Sequence, residues 1–267
     1  MAESTATRAH LNLVASSRRL FELDPAAELE AGASWLFGAG SYDHPSITNT
    51  AFRTDDDLDP AELIDRARAF FGARGRGFCI WTRDGVDADR ELAAACEAEG
   101  IVPVYEMPEM VLDGAAEELP LGDGVAIRRI DDAAQASAYW RIAGASYAEL
   151  GFPPEVFTQY TDGDGLLGEG IVAFLGEVAG EPAAIAMTIV TDAVAGIYWV
   201  GSLPSARGRG LGRAVTTAAT NAGLDLGADI ASLQASPLGR PIYEAMGFRT
   251  IYRYRLLACP PPGSPMA

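Results

Sequence analysis

Val200-Gly-Ser-Leu-Pro-Ser-Ala-Arg-Gly-Arg-Gly-Leu-Gly-Arg213 carries three arginines and, at alternate positions 208, 210 and 212, three glycines. It leads from an apolar run with strand patterning, 195–200, into a segment whose Leu211, Val215, Ala218, Ala222 and Leu226 recur at helical spacing. A glycine-rich turn that opens a helix presents successive backbone N–H groups, unobstructed by Cβ and backed by the positive end of the helix dipole. Arg207, Arg209 and Arg213 add positive charge. Residues 207–213 therefore read as a cradle for an anion of pyrophosphate size.

Two nucleotide-binding signatures compete for this stretch, and both fail. The dinucleotide fingerprint needs G-x-G-x-x-G at the start of a parallel βαβ unit, whereas here Arg213 stands where the third glycine belongs and hairpin-linked strands precede the loop. The phosphate loop of nucleotide hydrolases needs Gly-Lys-Ser/Thr, and all 20 basic residues of this chain are arginine.

Outward from the loop, 125–130 reads as a strand and 132–150 as a helix, with Ala136, Tyr139, Trp140, Ala143 and Tyr147 on one face. Gly151-Phe-Pro-Pro154 breaks it, a short helix follows at 155–160, and 162–170 is a glycine-rich loop. Strands at 171–178, 183–191 and 195–200 are joined by hairpin-length turns. After the helix 211–226, capped by Gly227, come a strand at 230–235, a short helix through Tyr243 and Met246, and a strand at 248–257. The class is α+β, a mixed and mostly antiparallel sheet flanked by helices.

The first half gives a looser version of the same order: helix 10–23, strands 33–37 and 46–53, helix 60–71, strand 78–83, helix 89–99 and strand 102–112. Two such domains in tandem are expected, 1–113 and 125–258, joined by the small and polar linker 114–124, with a disordered proline-rich tail at 259–267. A length of 267 residues suits two cores.

With 37 acids against 20 arginines the net charge is −17, which opposes a nucleic-acid phosphate backbone. The imbalance is uneven: residues 1–120 hold 23 acids and 10 arginines, residues 121–267 hold 14 and 10. The later half tolerates anions better. No apolar stretch approaches the ~20 residues of a membrane span, and 1–10 lacks a secretory h-region, so a cytoplasmic protein without membrane contact is expected. Cys79, Cys96 and Cys259 lack metal-site spacing, so no metal is expected. His10 and His44 read as surface residues.

Arg207-Gly-Arg-Gly-Leu-Gly212 resembles the Arg/Gln-x-x-Gly-x-Gly/Ala motif of the GNAT superfamily of acyl-CoA-dependent N-acyltransferases. Ser236 through Ile242-Tyr-Glu-Ala-Met-Gly-Phe248 resembles the closing segment of that family, and the likeness covers roughly 121–258. The resemblance implies acetyl-CoA as cosubstrate, its pyrophosphate held by Arg207, Gly208, Arg209, Gly210, Leu211, Gly212 and Arg213. It implies that Val200, Gly201 and Ser202 bond the pantetheine arm, that a backbone N–H near Val200 faces the developing oxyanion, and that this strand splays from 230–235. Tyr243 would protonate the departing thiolate. Ser236 replaces the asparagine of many members and serves either the cofactor or a helix cap.

No carboxylate lies on 195–200, where several members place their base. Glu149 and Glu155, beside the Gly151–Pro154 break, are the candidate acceptor-binding acids. The acidic balance favours a small cationic amine as acceptor, transferred to by direct attack, in a monomer or homodimer. A peptide or protein amine, and a non-catalytic acyl-CoA-binding sensor or interaction module, are the alternatives. In the first half, Gly72-Ala-Arg-Gly-Arg-Gly77 follows a helix rather than opening one, and the place where duplication would put a cradle holds Asp55, Asp56, Asp57 and Asp59. The first domain is expected to be degenerate, without CoA.

Overall fold

The computed structural model describes residues 4–160 and 165–263. Positions 161–164 of the expected glycine-rich region and 264–267 of the expected tail lie outside the described residues. In chain order the elements are α1 (Thr5–Glu22), β1 (Glu28–Ala31), β2 (Trp35–Ala39), β3 (Asn49–Arg53), α2 (Pro60–Gly72), β4 (Phe78–Arg83), α3 (Asp87–Ala98) and β5 (Val102–Asp113). They continue with β6 (Val125–Arg129), α4 (Ala133–Tyr147), β7 (Ile171–Val178), β8 (Glu181–Thr191), β9 (Val194–Ser202), α5 (Leu211–Asp225), β10 (Ile230–Gln234), α6 (Arg240–Ala245) and β11 (Arg249–Cys259). The short helix expected at 155–160 is a 3-10 helix, Pro154–Tyr160.

Two compact units form: Met1–Ser16 with Met110–Thr250, and Ser17–Glu109 with Ile251–Ala267. The internal boundary falls near the expected 113, but the chain ends are exchanged relative to a division into 1–113 and 125–258. Long-range bonds explain the exchange. Asn12, fully buried, donates from Nδ2 to Ile189 O, Val194 O and Thr191 Oγ1, and its Oδ1 accepts from Tyr198 Oη, tying the start of α1 to the later unit. Residues 254–259 of β11 pair antiparallel with β4, so this strand, Cys259 included, belongs largely to the earlier unit rather than to the later domain or a tail.

In the later unit β6, β7, β8 and β9 are antiparallel in sequence order, and β10 joins β9 in parallel. The β7–β8 and β8–β9 hairpins turn on Ala179-Gly180 and Asp192-Ala193, all at positive φ, as tight two-residue turns require. Helix α5 buries Leu211, Val215 and Ala219 together with Thr216, Thr220 and Gly223; Ala218 and Ala222 are half-buried and Leu226 is exposed. The buried face is thus rotated from the apolar pattern because the contact is made by small residues. A Cβ on Gly223 would lie 2.4 Å from that of Ala195, so only glycine allows α5 this close to β9. His10 is buried, and His44 is half-buried, contrary to the surface reading.

The earlier unit repeats the pattern. Strands β1, β2 and β3 are antiparallel, β3 and β4 parallel, and α2 and α3 close a core of Phe37, Leu63, Phe71, Phe78, Ile80 and Leu92. Gly72–Gly77 is the helix-to-strand turn expected, and its arginines serve structure: Arg74 stacks on Phe70 at 3.7 Å and pairs with Glu28. Where β3 and β4 end, Asp89 bridges them, bonding Arg53 Nη2 (2.5 Å) and Arg83 Nε (2.7 Å), while Arg83 also pairs with Asp56. Burial pushes the Asp89 carboxyl upward, but the bonds and charge of Arg83, with Arg53, outweigh it and hold the pKa below the usual carboxylate range.

Asp89→Ala would leave two buried guanidinium groups facing each other, and a loss of about 3 kcal/mol is expected. A lowered denaturation midpoint checks it; an unchanged midpoint would mean that the network contributes nothing. Because the folded pKa is depressed, this stabilisation is present above the usual carboxylate range and is lost as pH falls through the depressed value.

Candidate functional site

Strands β9 and β10 pair only at Val194–Ile230, Ala195–Ala231 and Gly196–Ser232. Beyond Gly196, β9 runs on through Ser202 while β10 runs to Gln234, so the two parallel strands open into a V. The expected splay is therefore present, and Val200, Gly201 and Ser202 line the open part of β9, each half-buried.

From that strand end the chain passes through a 3-10 turn, Pro204–Ala206, into the glycine-rich loop. Gly208 and Gly210 adopt φ of +77° and +76°, the left-handed conformation that alternate glycines permit. A Cβ at either position would meet nothing within 4 Å, so the space over the backbone is open. Gly210 is the N-cap of α5 and has no side chain to bond the helix start, and the first helical bond is Ala214 N–H to Gly210 C=O. The amides of Leu211, Gly212 and Arg213 thus remain available at the positive end of α5. These features fit a diphosphate.

The arginines differ in their engagement. Arg207 pairs with Glu149 (2.5 Å), both partly exposed, and Arg213 with Glu117 (3.2 Å), while Arg209 is exposed. Glu149 is therefore held beside the cradle by Arg207 rather than standing free for an acceptor. Glu155 is exposed on the 3-10 helix, and its carboxylate makes no bond among the described residues. Ser236 Oγ accepts from Gly239 N–H (3.1 Å), the turn-capping role of the two considered.

Tyr243 is buried on α6. Its ring lies over Gly239, where a Cβ would come within 2.8 Å, and meets Phe248 edge-on at 6.0 Å. The hydroxyl makes no hydrogen bond to protein among the described residues. Burial pushes the phenol well above its ordinary value, so the group keeps its proton at neutral pH.

The equivalent place in the earlier unit is filled. Asp59 caps α2, its carboxylate accepting from Ala61 N–H (2.8 Å) and Glu62 N–H (3.3 Å), so the helix start that glycine leaves open in α5 is closed in α2. The gap after the last β3–β4 pair, Ala51–Ile80, is spanned by the Arg53–Asp89–Arg83 bridge. Composition alone offered a run of acids; the capping and bridging roles are additional, and the S/T/D-before-proline signature at Asp59-Pro60 was the signal that could have revealed the cap.

No family model matches the sequence, and no curated protein does. Among solved structures, a GCN5-related N-acetyltransferase from Kribbella flavida is similar at a TM-score of 0.76, with 22% identity over 98% of each chain. A tandem GNAT protein from the clavulanic acid biosynthesis pathway is similar at 0.62, with 14% identity over 97% of this chain and 95% of that one.

This chain has the tandem GNAT fold. A second GCN5-related N-acetyltransferase, from Sphaerobacter thermophilus, is similar at 0.63 with 13% identity over 98% of this chain and 96% of that one. At such identities the likeness is one of GNAT fold, and the roles of individual residues rest on their geometry. Among the described residues no group of three or more His, Cys, Asp or Glu side chains is placed to hold a metal, and no helix is long and apolar enough to cross a membrane.

Proposed function

We propose that the later unit is an acyl-CoA-dependent N-acyltransferase, moving an acetyl group from acetyl-CoA to a primary amine. The observation that carries this reading is the opening of β9 from β10 directly before a helix whose start is capped by glycine alone. In this reading the amides and arginines of 207–213 hold the diphosphate, and Val200, Gly201 and Ser202 bond the pantetheine arm as an added strand would. The amine nitrogen attacks the thioester carbonyl carbon, the C–S bond breaks, and the nitrogen loses a proton to water or a nearby base. Tyr243, protonated at neutral pH, gives its proton to the thiolate sulfur and regains one from solvent.

The earlier unit is proposed to be a degenerate partner that binds no CoA, because Asp59 and the Asp89 bridge occupy what the cradle and the V leave open in the later unit. For the acceptor, the net charge of −17 and the exposed Glu155 carboxylate support a small cationic amine. Thiol release from acetyl-CoA, measured across cationic, neutral and peptidyl amines at low and high salt, is the test. A cationic amine is expected to be the best acceptor, with a KM that rises with salt. A neutral or peptidyl best acceptor would overturn the cationic assignment, and binding of CoA without turnover would favour a sensor.

A further inference from the structure

All three cysteines of the chain lie in the earlier unit, and the sheet divides them. In β11, Cys259 stands directly opposite Phe78 of β4, and Ala258 opposite Cys79. Directly opposed residues share a face of the sheet, and successive ones alternate. Cys259 therefore faces the side on which Phe78, Ile80 and Leu257 join the core under α2 and α3, and it packs against that core. Cys96, fully buried on α3, belongs to the same core. Cys79 is turned to the opposite face.

Two contacts hold the last turn of α3 against the end of β11. Arg255 Nη2 donates to Glu97 Oε1 at 3.1 Å. Four residues on, the Arg68 guanidinium of α2 stands beside the Cys259 thiol and also donates to the side chain (2.8 Å) and the carbonyl (2.9 Å) of Glu99, the C-cap of α3. A guanidinium is a small rigid fork, so one side chain meets Cys259 and Glu99 together only where strand end and helix end adjoin. Cys96 lies in the turn of helix that these contacts bracket.

The thiols differ in access. Cys79 and Cys96 are fully buried, and burial pushes each up to about 12, so both stay protonated and inert toward reagents in solvent. Cys259 is only half-buried, and a guanidinium is the kind of neighbour found beside reactive cysteines. We propose that Cys259 and Cys96 form a redox-closed clip: Cys259 is the site of oxidation by a hydroperoxide, and Cys96 resolves it as a disulfide that fastens the end of β11 to α3. In the first step the Cys259 sulfur attacks the terminal peroxide oxygen and the O–O bond breaks. Cys259 becomes a sulfenic acid, and its thiol proton passes to the departing oxygen, giving water or an alcohol. The Cys96 sulfur then attacks the Cys259 sulfur, the S–O bond breaks, and the Cys96 proton leaves with the hydroxyl as water. Two electrons pass in all from the sulfur pair to the peroxide. The clip is independent of the acyltransferase reading, since it uses no residue of that site.

Exposure of the intact folded chain to hydrogen peroxide, followed by peptide mapping without reduction, tests it. A Cys96–Cys259 link is expected, with Cys79 a free thiol and the link reversed by dithiothreitol. In Cys96→Ser, Cys259 should accumulate a sulfenic acid that dimedone captures. In Cys259→Ser, Cys96 should be oxidised at least about 10-fold more slowly than Cys259 is in Cys96→Ser. The linked chain should denature at a higher temperature, because the bond closes a long loop in the unfolded state, and reduction should return the midpoint. An unreactive Cys259, a link through Cys79 or between two chains, or equally fast oxidation of Cys96 in Cys259→Ser would overturn the thiol pair. A link that leaves the midpoint unmoved would overturn the clip.

Discussion

Tyr243→Phe is expected to lower kcat by ~10²- to 10⁴-fold while leaving the Kd for acetyl-CoA nearly unchanged. Phenylalanine preserves the ring that lies over Gly239 and meets Phe248, so the short helix α6 keeps its packing. The hydroxyl makes no hydrogen bond to protein among the described residues, so its removal strands no buried partner, and the denaturation midpoint should hardly move. In the proposed mechanism what disappears is the proton for the leaving thiolate. Because burial raises the phenol pKa, the acid form persists at neutral and moderately alkaline pH, and this group imposes no loss of activity until pH approaches its raised value. Loss of binding in parallel with turnover would instead identify Tyr243 as a cofactor-positioning residue.

Gly210→Asp is expected to remove CoA binding. At φ of +76° a Cβ is strained, and a carboxylate there would stand over the amides that the diphosphate needs. Like charges about 5 Å apart at an effective dielectric near 20 repel by ~3 kcal/mol, more than 10²-fold in affinity before the strain is counted. The fold should survive, because nothing lies within 4 Å of the new Cβ. A stable variant with unchanged affinity would sink the cradle.

The geometry of the glycine-rich loop was legible because it is local. Glycines at alternate positions encode the positive φ found at Gly208 and Gly210, and a helix pattern beginning at Leu211 encodes the open amides. The short helix that carries Tyr243 was legible for the same reason, whereas the role proposed for Tyr243 came from the family resemblance. The splay of β9 from β10 came from the family resemblance, and the register bears it out.

What was not legible depends on partners distant in sequence. Nothing near Asn12 announces that it will bond Ile189, Thr191 and Val194, and so the placement of the start of α1 with the later unit was missed. The antiparallel pairing of residues 254–259 with β4 is equally non-local. The convergence of Arg53 and Arg83 on Asp89 has no local signal, and Glu149, read as a candidate acceptor-binding acid, is paired with Arg207. The buried face of α5 escaped the apolar pattern because threonines and Gly223 make the contact. Trp199 at positive φ reverses local preference, which only the rings and hydroxyls of α4 can enforce.

Calorimetric titration of the intact chain with acetyl-CoA tests the central claim most directly, that a glycine-capped helix start beside an open strand pair makes one cosubstrate site. One molecule bound per chain is predicted, with binding lost in Gly210→Asp and retained in Asp59→Ala. Two molecules per chain, or one that survives Gly210→Asp, would contradict it.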